Sequence, residues 1–168
     1  MKKNLVLLGM MAVGKTTLGK IVAKKHNLKF IDTDANIEKK NSMTIMEIFE
    51  KKGEKFFRKE EEIEVLQSLK NDNSVIALGG GAFINKNIRE NILKSAVSIW
   101  LENSIEVLEK RIKKNFKRPL IKESRQKKLR ELHTSRKMIY ALAHHKITCD
   151  NLSKENIVKK IISIYEKY

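Results

Sequence analysis

The chain has 168 residues, which is enough for one domain of ordinary size and too few for two full ones. Apolar residues make up 41% of it and charged residues 33%, so it can bury a core and is not a disordered polyelectrolyte. Lys and Arg outnumber Asp and Glu by 36 to 20, and the net charge of +16 raises a nucleic acid or an anionic ligand as the partner.

Short apolar runs predict five buried strands, the last weaker than the others, at residues 5–8, 30–31, 75–78, 97–101 and 145–149. The stretches between them carry apolar residues at helical spacing, as in residues 18–22, 45–49, 63–69, 105–112 and 157–164. Strand and helix alternate along the chain, which predicts a single α/β domain with a parallel sheet covered on both faces. Residues 113–126 are polar, basic and hold the only Pro, so we expect a loop or lid there.

A phosphate-binding loop follows the first predicted strand. Gly9 and Gly14 stand at the spacing of the P-loop pattern, and Lys15 and Thr16 complete it. In a chain of this composition such a motif arises by chance roughly 0.005 times. Glycines let the backbone N–H groups and the helix N-terminus face a phosphate, Lys15 reaches the β- and γ-phosphates, and the Thr16 hydroxyl ligates Mg²⁺. The motif therefore predicts a nucleoside triphosphate site.

Two carboxylates follow the second predicted strand, at Asp32 and Asp34. The carboxyl ends of parallel strands face the ligand crevice, and residues two apart in an extended segment share a side, so both could point into it. One would serve Mg²⁺ through water and the other a substrate hydroxyl. The alternative is a pair that caps the next helix.

Further motifs continue in a characteristic order. Phe56-Phe57-Arg58 leads to Glu61, then come Gly79-Gly80-Gly81, Arg118-Pro119-Leu120, and Arg136 with Tyr140 and Ala143. With the P-loop and Asp-x-Asp, this series resembles the shikimate kinase family over residues 9–143. Two positions depart from the family pattern: Ala12 stands where a Gly is usual, and Met138 where a Pro is usual.

The resemblance implies a nucleoside-monophosphate-kinase-like P-loop fold, with a five-stranded parallel sheet flanked by helices. One domain would cover residues 1–168, with a substrate-binding segment at about 33–62 and the lid at about 113–126. It also implies transfer of the γ-phosphoryl group of ATP to the 3-hydroxyl of shikimate. The product, shikimate 3-phosphate, lies on the route to chorismate and the aromatic amino acids.

The same resemblance implies a role for each matching residue. Asp34 would hold the reacting hydroxyl, Glu61 would orient Arg58, and the catalytic residues would be Lys15, Asp34 and Arg118. ATP would contact Ala12, Val13, Gly14, Lys15, Thr16 and Thr17, with Arg111 packed on adenine and Arg118 on the transferring phosphate. Mg²⁺ would be served by Thr16 and Asp32. Shikimate would contact Asp34, Arg58, Gly80, Gly81 and Arg136, with Phe49 and Phe57 walling its pocket.

Arginine usage supports this assignment independently. The chain has 29 Lys and only 7 Arg, so an Arg is a better candidate for a site that needs a planar, two-donor fork. Four of the seven fall on family ligand positions, at Arg58, Arg111, Arg118 and Arg136.

Other functions and partners remain open. Another P-loop small-molecule kinase, for gluconate or a nucleotide, is one alternative, and a basic nucleic-acid-binding ATPase is another. We expect no nucleic acid partner, because aromatic strand motifs and Arg-rich tracts are missing. A lone cysteine excludes an internal disulfide, and no segment has the ~20 apolar residues of a membrane span, so we expect a cytoplasmic protein without membrane contact. We also expect a monomer. Structural roles are expected for Met43, Met46, His144, His145 and Cys149.

Overall fold

The computed structural model describes the backbone of residues 3–113 and 119–168, and the side chains of residues 3–112 and 126–168. Five strands form one parallel sheet in the order β2-β3-β1-β4-β5, as the sequence predicts. Their bounds are Asn4–Leu8 (β1), Lys29–Asp32 (β2), Ser74–Ala77 (β3), Ala96–Glu102 (β4) and His145–Thr148 (β5).

Helices cover both faces of this sheet. In the described ranges they are Lys15–His26 (α1), Thr33–Asn41 (α2), Ile45–Lys52 (α3), Glu54–Leu69 (α4), Lys86–Ser95 (α5), Ile105–Lys113 (α6), Pro119–Tyr140 (α7) and Lys154–Tyr165 (α8), with a 3₁₀ turn at Ala82–Ile84. No helix among the described residues is both long enough and apolar enough to cross a membrane.

The central strand fixes where a ligand can bind. Every residue of β1 is buried, and Leu5 pairs with Val75 of β3 on one side and Val97 of β4 on the other. The chain runs from β1 to β2 and β3 on one side, then crosses to β4 on the other. Such a reversal leaves a crevice outside the carboxyl ends of the strands, which is where the P-loop begins.

A second, smaller core lies beneath the segment that includes α2, α3 and the start of α4. Ile37, Ile48 and Phe57 are buried there, and Met43 and Phe49 pack against them. The expected core role of Met43 is thus confirmed, whereas Met46 is 64% exposed, so the same expectation for Met46 is wrong. Met43 precedes α3 and Met46 lies within it, so their three-residue spacing does not place them on one helix face.

The expected loop at residues 113–126 is wrong for most of its length. Residue 113 ends α6, and residues 119–126 are the first turns of α7. Pro119 opens that helix, where its missing N–H costs nothing because the first N–H groups of a helix have no intrahelical acceptor. Residues 114–118, and with them Arg118, lie outside the described residues, so the lid role stays a prediction.

Candidate active site

The P-loop joins the end of β1 to the start of α1. Gly9 has φ +139° and Gly14 has φ +106°, conformations that side chains rarely adopt. A Cβ on Gly9 would also lie 2.5 Å from the Leu101 carbonyl oxygen. The turn places the first N–H groups of α1 at the crevice, where a helix N-terminus attracts anions. Val13 lies buried inside this turn, and Thr17 is exposed in the first turn of α1.

The side chain of Lys15 folds back onto the P-loop. Its Nζ donates to the carbonyl oxygens of Gly9 at 2.9 Å and Met10 at 2.8 Å. Removal from water lowers the pKa of Lys15 to about 8, although the charges of Asp34 and Asp32 oppose the shift. An ammonium has three donors, so these two bonds leave one for a ligand.

Asp32 caps α2, as one of the two interpretations left open by the sequence predicts, and it also bonds to the P-loop threonine. Its Oδ2 accepts a 2.7 Å hydrogen bond from the Thr16 hydroxyl, and its Oδ1 accepts from the Ala35 N–H at 3.2 Å as the N-cap of α2. The expected extended conformation of residues 32–34 is wrong, because β2 ends at Asp32 and α2 begins at Thr33. Helical geometry nevertheless keeps Asp34 close enough for its charge to oppose the lowering of the Lys15 pKa.

Asp34 carries the unpaired acceptor of the site. Its Oδ1 is buried and has no hydrogen-bond partner among the described residues. Burial, together with the nearby carboxylates of Glu61 and Asp32, raises the pKa of Asp34 to about 6 against the pull of Lys15. A buried orphan acceptor of this kind is costly unless a ligand completes it.

Thr33 holds the start of α2 against the end of β3, a role that sequence reasoning missed. Its hydroxyl donates to the Ala77 carbonyl at 3.3 Å and accepts from the Gly79 N–H at 3.1 Å, and its side chain is fully buried. A Cβ on Gly79 would overlap Oδ1 of Asp34, so a glycine is needed there for close approach. Residues 32–34 therefore place Asp34 directly beside the turn at Gly79.

Arg58 lies on α4 between two carboxylates. Its Nη1 donates to Glu61 at 2.8 Å, while its Nε and Nη2 donate to Glu54 at 3.3 and 3.2 Å. These partners raise the pKa of Arg58 despite its partial burial, and burial raises the pKa of Glu61 despite the guanidinium. The guanidinium lies 5.2 Å from the ring centre of Phe57 and 5.9 Å from that of Phe49, so its plane is fixed by rings as well as charges.

The other guanidinium comes from α7. Nη1 of Arg136 donates to the Gly80 carbonyl oxygen at 3.0 Å. At the next residue of the turn, a Cβ on Gly81 would lie 2.6 Å from Nη1 of Arg58. Both arginines therefore lie against the glycine turn, and its lack of side chains lets Arg58 approach it.

These elements enclose one cleft of about 470 Å³, within the range of small-molecule sites. It contains both arginines and Glu61, together with one face of the glycine turn; its lining residues are Glu54, Arg58, Glu61, Gly81, Ile84, Asn85, Leu132, Ser135 and Arg136. Two guanidinium forks in one cleft can bind a carboxylate or a phosphate. Nearby, Asp34 offers the acceptor that a hydroxyl group needs.

Arg111 braces the P-loop, whereas the sequence led us to expect a contact with adenine. Its Nη1 donates to the carbonyl oxygens of Ala12 and Val13, both at 3.1 Å, and to Oδ1 of Asn103 at 3.3 Å. Asn103 in turn donates to Asp150 at 2.8 Å. The packing of Arg111 on adenine stays a prediction. Asn103 and Asp150 are 47 residues apart, so no local sequence motif could have predicted their hydrogen bond.

The two departures from the family pattern have different structural consequences. Ala12 adopts φ +63°, a left-handed conformation in which its Cβ is strained. Met138 is 78% exposed on α7 and is not among the residues that line the cleft. Only Ala12 therefore bears on the site.

The two histidines and the cysteine that were expected to be structural have protein partners. The Ser98 N–H donates to Nδ1 of His144 at 3.2 Å, and Nε2 of His145 lies 2.9 Å from the Tyr168 hydroxyl. Burial raises the pKa of the Cys149 thiol to about 11, which leaves it unreactive. Within the described ranges no cluster of His, Cys, Asp or Glu could hold a metal ion.

Known proteins are similar to this chain in both sequence and fold. The sequence model of the family described as shikimate kinase matches residues 11–166. A shikimate kinase of Caldanaerobacter subterraneus subsp. tengcongensis is 40% identical over 166 residues, covering 98% of this chain and 97% of that protein. The chain belongs to the shikimate kinase family. A Bacillus subtilis shikimate kinase is 39% identical over 163 residues, covering 96% of this chain and 88% of the relative.

Solved structures of this family superpose closely on the chain. The shikimate kinase of Acinetobacter baumannii in complex with shikimate matches with a TM-score of 0.90 and 31% identity, covering 99% of this chain and 94% of the other. The Aquifex aeolicus shikimate kinase matches with a TM-score of 0.82 and 29% identity, covering 98% and 96%. A gluconokinase from Sinorhizobium meliloti is 15% identical with a TM-score of 0.64, a likeness of fold alone.

Proposed function

We propose that this protein is a shikimate kinase, which transfers the γ-phosphoryl group of ATP to the 3-hydroxyl of shikimate. One observation carries the proposal: two guanidinium groups and a carboxylate with an unpaired oxygen lie beside one P-loop. The two guanidinium groups recognise an acid, the carboxylate recognises an alcohol, and the P-loop binds the phosphate donor. Shikimate combines the acid and the alcohol in one small molecule.

Arg58 and Arg136 clamp the substrate carboxylate. A guanidinium has five N–H donors, and Arg58 uses three on Glu54 and Glu61, which leaves donors on both terminal nitrogens. The two carboxylates also restrict the rotation of Arg58, so less entropy is lost when substrate binds. Arg136 approaches from α7, where its bond to the Gly80 carbonyl holds it, and completes the clamp.

Asp34 aligns the reacting hydroxyl and takes its proton. With a pKa of about 6 it is ionised at neutral pH, yet basic enough to accept a proton as the oxygen–phosphorus bond forms. Its unpaired Oδ1 is the acceptor that the hydroxyl completes. Phosphoryl transfer leaves little covalent work for a protein, so this alignment is a large part of the catalysis.

The P-loop holds the phosphates of ATP. The N–H groups at the start of α1 and the Nζ of Lys15 face the β- and γ-phosphates, and Arg118 neutralises the transferring group from the lid. A lid over 113–126 that closes on bound ligands keeps water from replacing the alcohol. The net charge of +16 raises the local concentration of both anionic substrates.

The residues at the P-loop suit a magnesium ion. The Thr16 hydroxyl and the Asp32 carboxylate lie 2.7 Å apart, and both are the hard oxygen donors that Mg²⁺ takes. Thr16 would contact the ion directly and Asp32 would hold it through water, and the bound ion would offset the negative charge of the phosphates.

The proposal includes a cellular setting. The protein acts as a monomer in the cytoplasm, where ATP is available and Cys149 stays reduced, without a nucleic acid or membrane partner. Its product, shikimate 3-phosphate, enters the route to chorismate and the aromatic amino acids.

A substrate panel tests the proposal. ADP release from MgATP is measured with shikimate, with gluconate, with AMP, with single-stranded DNA and RNA, and with no acceptor. We expect release above background with shikimate alone. Turnover with gluconate or AMP instead would make the protein a different small-molecule kinase, and stimulation by nucleic acid would make it a nucleic-acid-dependent ATPase.

A further inference from the structure

Two donors from α7 meet at one carbonyl of the glycine turn. Tyr140 donates its hydroxyl proton to the Gly80 carbonyl oxygen, and Nη1 of Arg136 donates to the same oxygen at 3.0 Å. Residues 136 and 140 are four apart on the helix, so both side chains project from one face. A carbonyl oxygen has two lone pairs, and this pair of bonds occupies both.

The turn itself restrains this carbonyl only in part. The neighbouring Gly79 N–H donates to the Thr33 hydroxyl at 3.1 Å, but that bond does not reach the Gly80 carbonyl. Gly80 has a glycine on each side, so no side chain of the turn limits the rotation of its peptide groups. An added Cβ on Gly80 would be at ordinary van der Waals distance from its nearest neighbours, 3.6 Å from Nη1 of Arg136, so no closer packing locks the turn there. The direction of the Gly80 carbonyl, and with it the position of the Arg136 guanidinium, depends on the hydrogen bonds from α7.

Tyr140 is well placed to supply this constraint, because its own position is rigid. Its side chain is 2% exposed, and its ring centre lies 5.9 Å from that of the buried Trp100 on β4. The hydroxyl also lies 3.8 Å from the sulfur of Met10 in the P-loop. Arg136, in contrast, is a long side chain that needs an anchor in order to present its remaining donors to the cleft.

We propose that Tyr140 is a positioning residue for the substrate clamp: its hydroxyl fixes the Gly80 carbonyl, which holds the Arg136 guanidinium in the orientation that binds the acid. Tyr140 is not among the residues that line the cleft, so it acts through Gly80 and Arg136. The inference rests on the proposed function, because it names the clamp of that same site.

The test compares two conservative substitutions. Tyr140→Phe removes the hydroxyl and keeps the ring. Tyr165→Phe is the matched control, because Tyr165 is 1% exposed and its hydroxyl also donates to a backbone carbonyl, that of Lys3 at 2.7 Å. For each variant, calorimetry gives the Kd for shikimate, steady-state kinetics give both KM values, and a thermal melt gives Tm.

We expect Tyr140→Phe to raise the Kd and KM for shikimate about 5- to 30-fold, the effect of leaving a buried acceptor half satisfied. The KM for MgATP should change less than about twofold, and Tyr165→Phe should leave all three constants near wild type. Equal effects of Tyr140→Phe on both substrates, or a loss of Tm without a change in shikimate affinity, would overturn the proposal. A wild-type protein that does not bind shikimate would instead overturn the proposed function.

A double-mutant cycle adds a readout that a purely structural role would not move. If Tyr140 acts through Arg136, adding Tyr140→Phe to Arg136→Lys should raise the shikimate Kd by less than it does in the wild type. Effects that multiply in full would mean that the two side chains act independently, and would also overturn the proposal.

Discussion

The hydroxyl of Thr16 on α1 donates a 2.7 Å hydrogen bond to Oδ2 of Asp32 at the end of β2. Thr16 lies on the helix that follows β1, and Asp32 is the last residue of β2. These two strands are not neighbours in the sheet, because β3 lies between them. Asp34, two residues further on, has a buried oxygen with no partner among the described residues. The two carboxylates of one short segment therefore have different surroundings, and the proposed function gives them different tasks, one at the P-loop and one at the substrate.

Asparagine substitutions separate these tasks. Asp34→Asn removes the proton acceptor, so kcat should fall by about 10²- to 10⁴-fold, and added Mg²⁺ should not restore it. Asp32→Asn should raise the Mg²⁺ requirement, and excess Mg²⁺ should recover much of the rate. Asn is as good an N-cap as Asp, so α2 and Tm should change little in the second variant. Titration of Mg²⁺ against kcat for both proteins decides the matter, and identical responses would contradict this division.

The pH dependence of activity should follow the two shifted groups. The pKa of Asp34 is about 6, so kcat/KM for shikimate should rise with pH up to about 6 and then level off. The pKa of Lys15 is about 8, so kcat/KM for MgATP should fall above about 8 as the ammonium loses its proton. The Glu61 charge contributes to the raised pKa of Asp34, so Glu61→Gln should move the acidic limb to lower pH. A limb that stays in place would assign the titration to another group.

The strained P-loop residue predicts that an Ala-to-Gly change stabilises the protein at Ala12 and destabilises it in a helix. Ala12 has φ +63°, where glycine is favoured by about 1–2 kcal/mol, so Ala12→Gly should raise Tm by a few degrees. Ala35 is exposed in α2, where the same change should instead destabilise by about 0.5–1 kcal/mol. Thermal melts of both variants provide the comparison. A lower Tm for Ala12→Gly would show that the loop does not store this strain.

The substrate clamp can be tested by a substitution that keeps the positive charge of Arg136 but removes the paired N–H donors of its guanidinium. Arg136→Lys loses at least one charge-assisted hydrogen bond worth roughly 1.5–3 kcal/mol, so the KM for shikimate should rise about 10- to 150-fold. The KM for MgATP should change much less. Arg130→Lys is the control on the same helix, because Arg130 pairs with Glu109 outside the cleft. If both variants behaved alike, or if ATP were affected equally, Arg136 would not belong to the clamp.

Much of this architecture could be predicted because its signals are local. All five predicted strands are present, and the P-loop lies between β1 and α1, since Gly9 and Gly14 carry the backbone requirement within a few consecutive residues. The conformation at Asp34 was not predictable in the same way. An Asp that ends a strand and an Asp that caps a helix have the same local sequence, and Asp32 does both.

Contacts between distant segments were the part that sequence could not supply. Arg111 meets the P-loop carbonyl of Ala12 across 99 residues, and Tyr140 meets Gly80 across 60. Thr33 lies between the two candidate carboxylates and carried no prediction, yet its buried hydroxyl bridges two backbone groups. Such roles depend on which helix packs on which turn, and no periodicity or motif encodes that packing.

The position of the phosphate on the product tests the central claim most directly. The protein is incubated with MgATP and shikimate, and the purified product is examined by two-dimensional ¹H–³¹P correlation spectroscopy. If Asp34 aligns the 3-hydroxyl while Arg58 and Arg136 hold the carboxylate, the phosphorus should correlate with the proton on carbon 3 of the ring. Correlation with the proton on carbon 4 or 5, or ADP released without a phosphorylated acid, would contradict it.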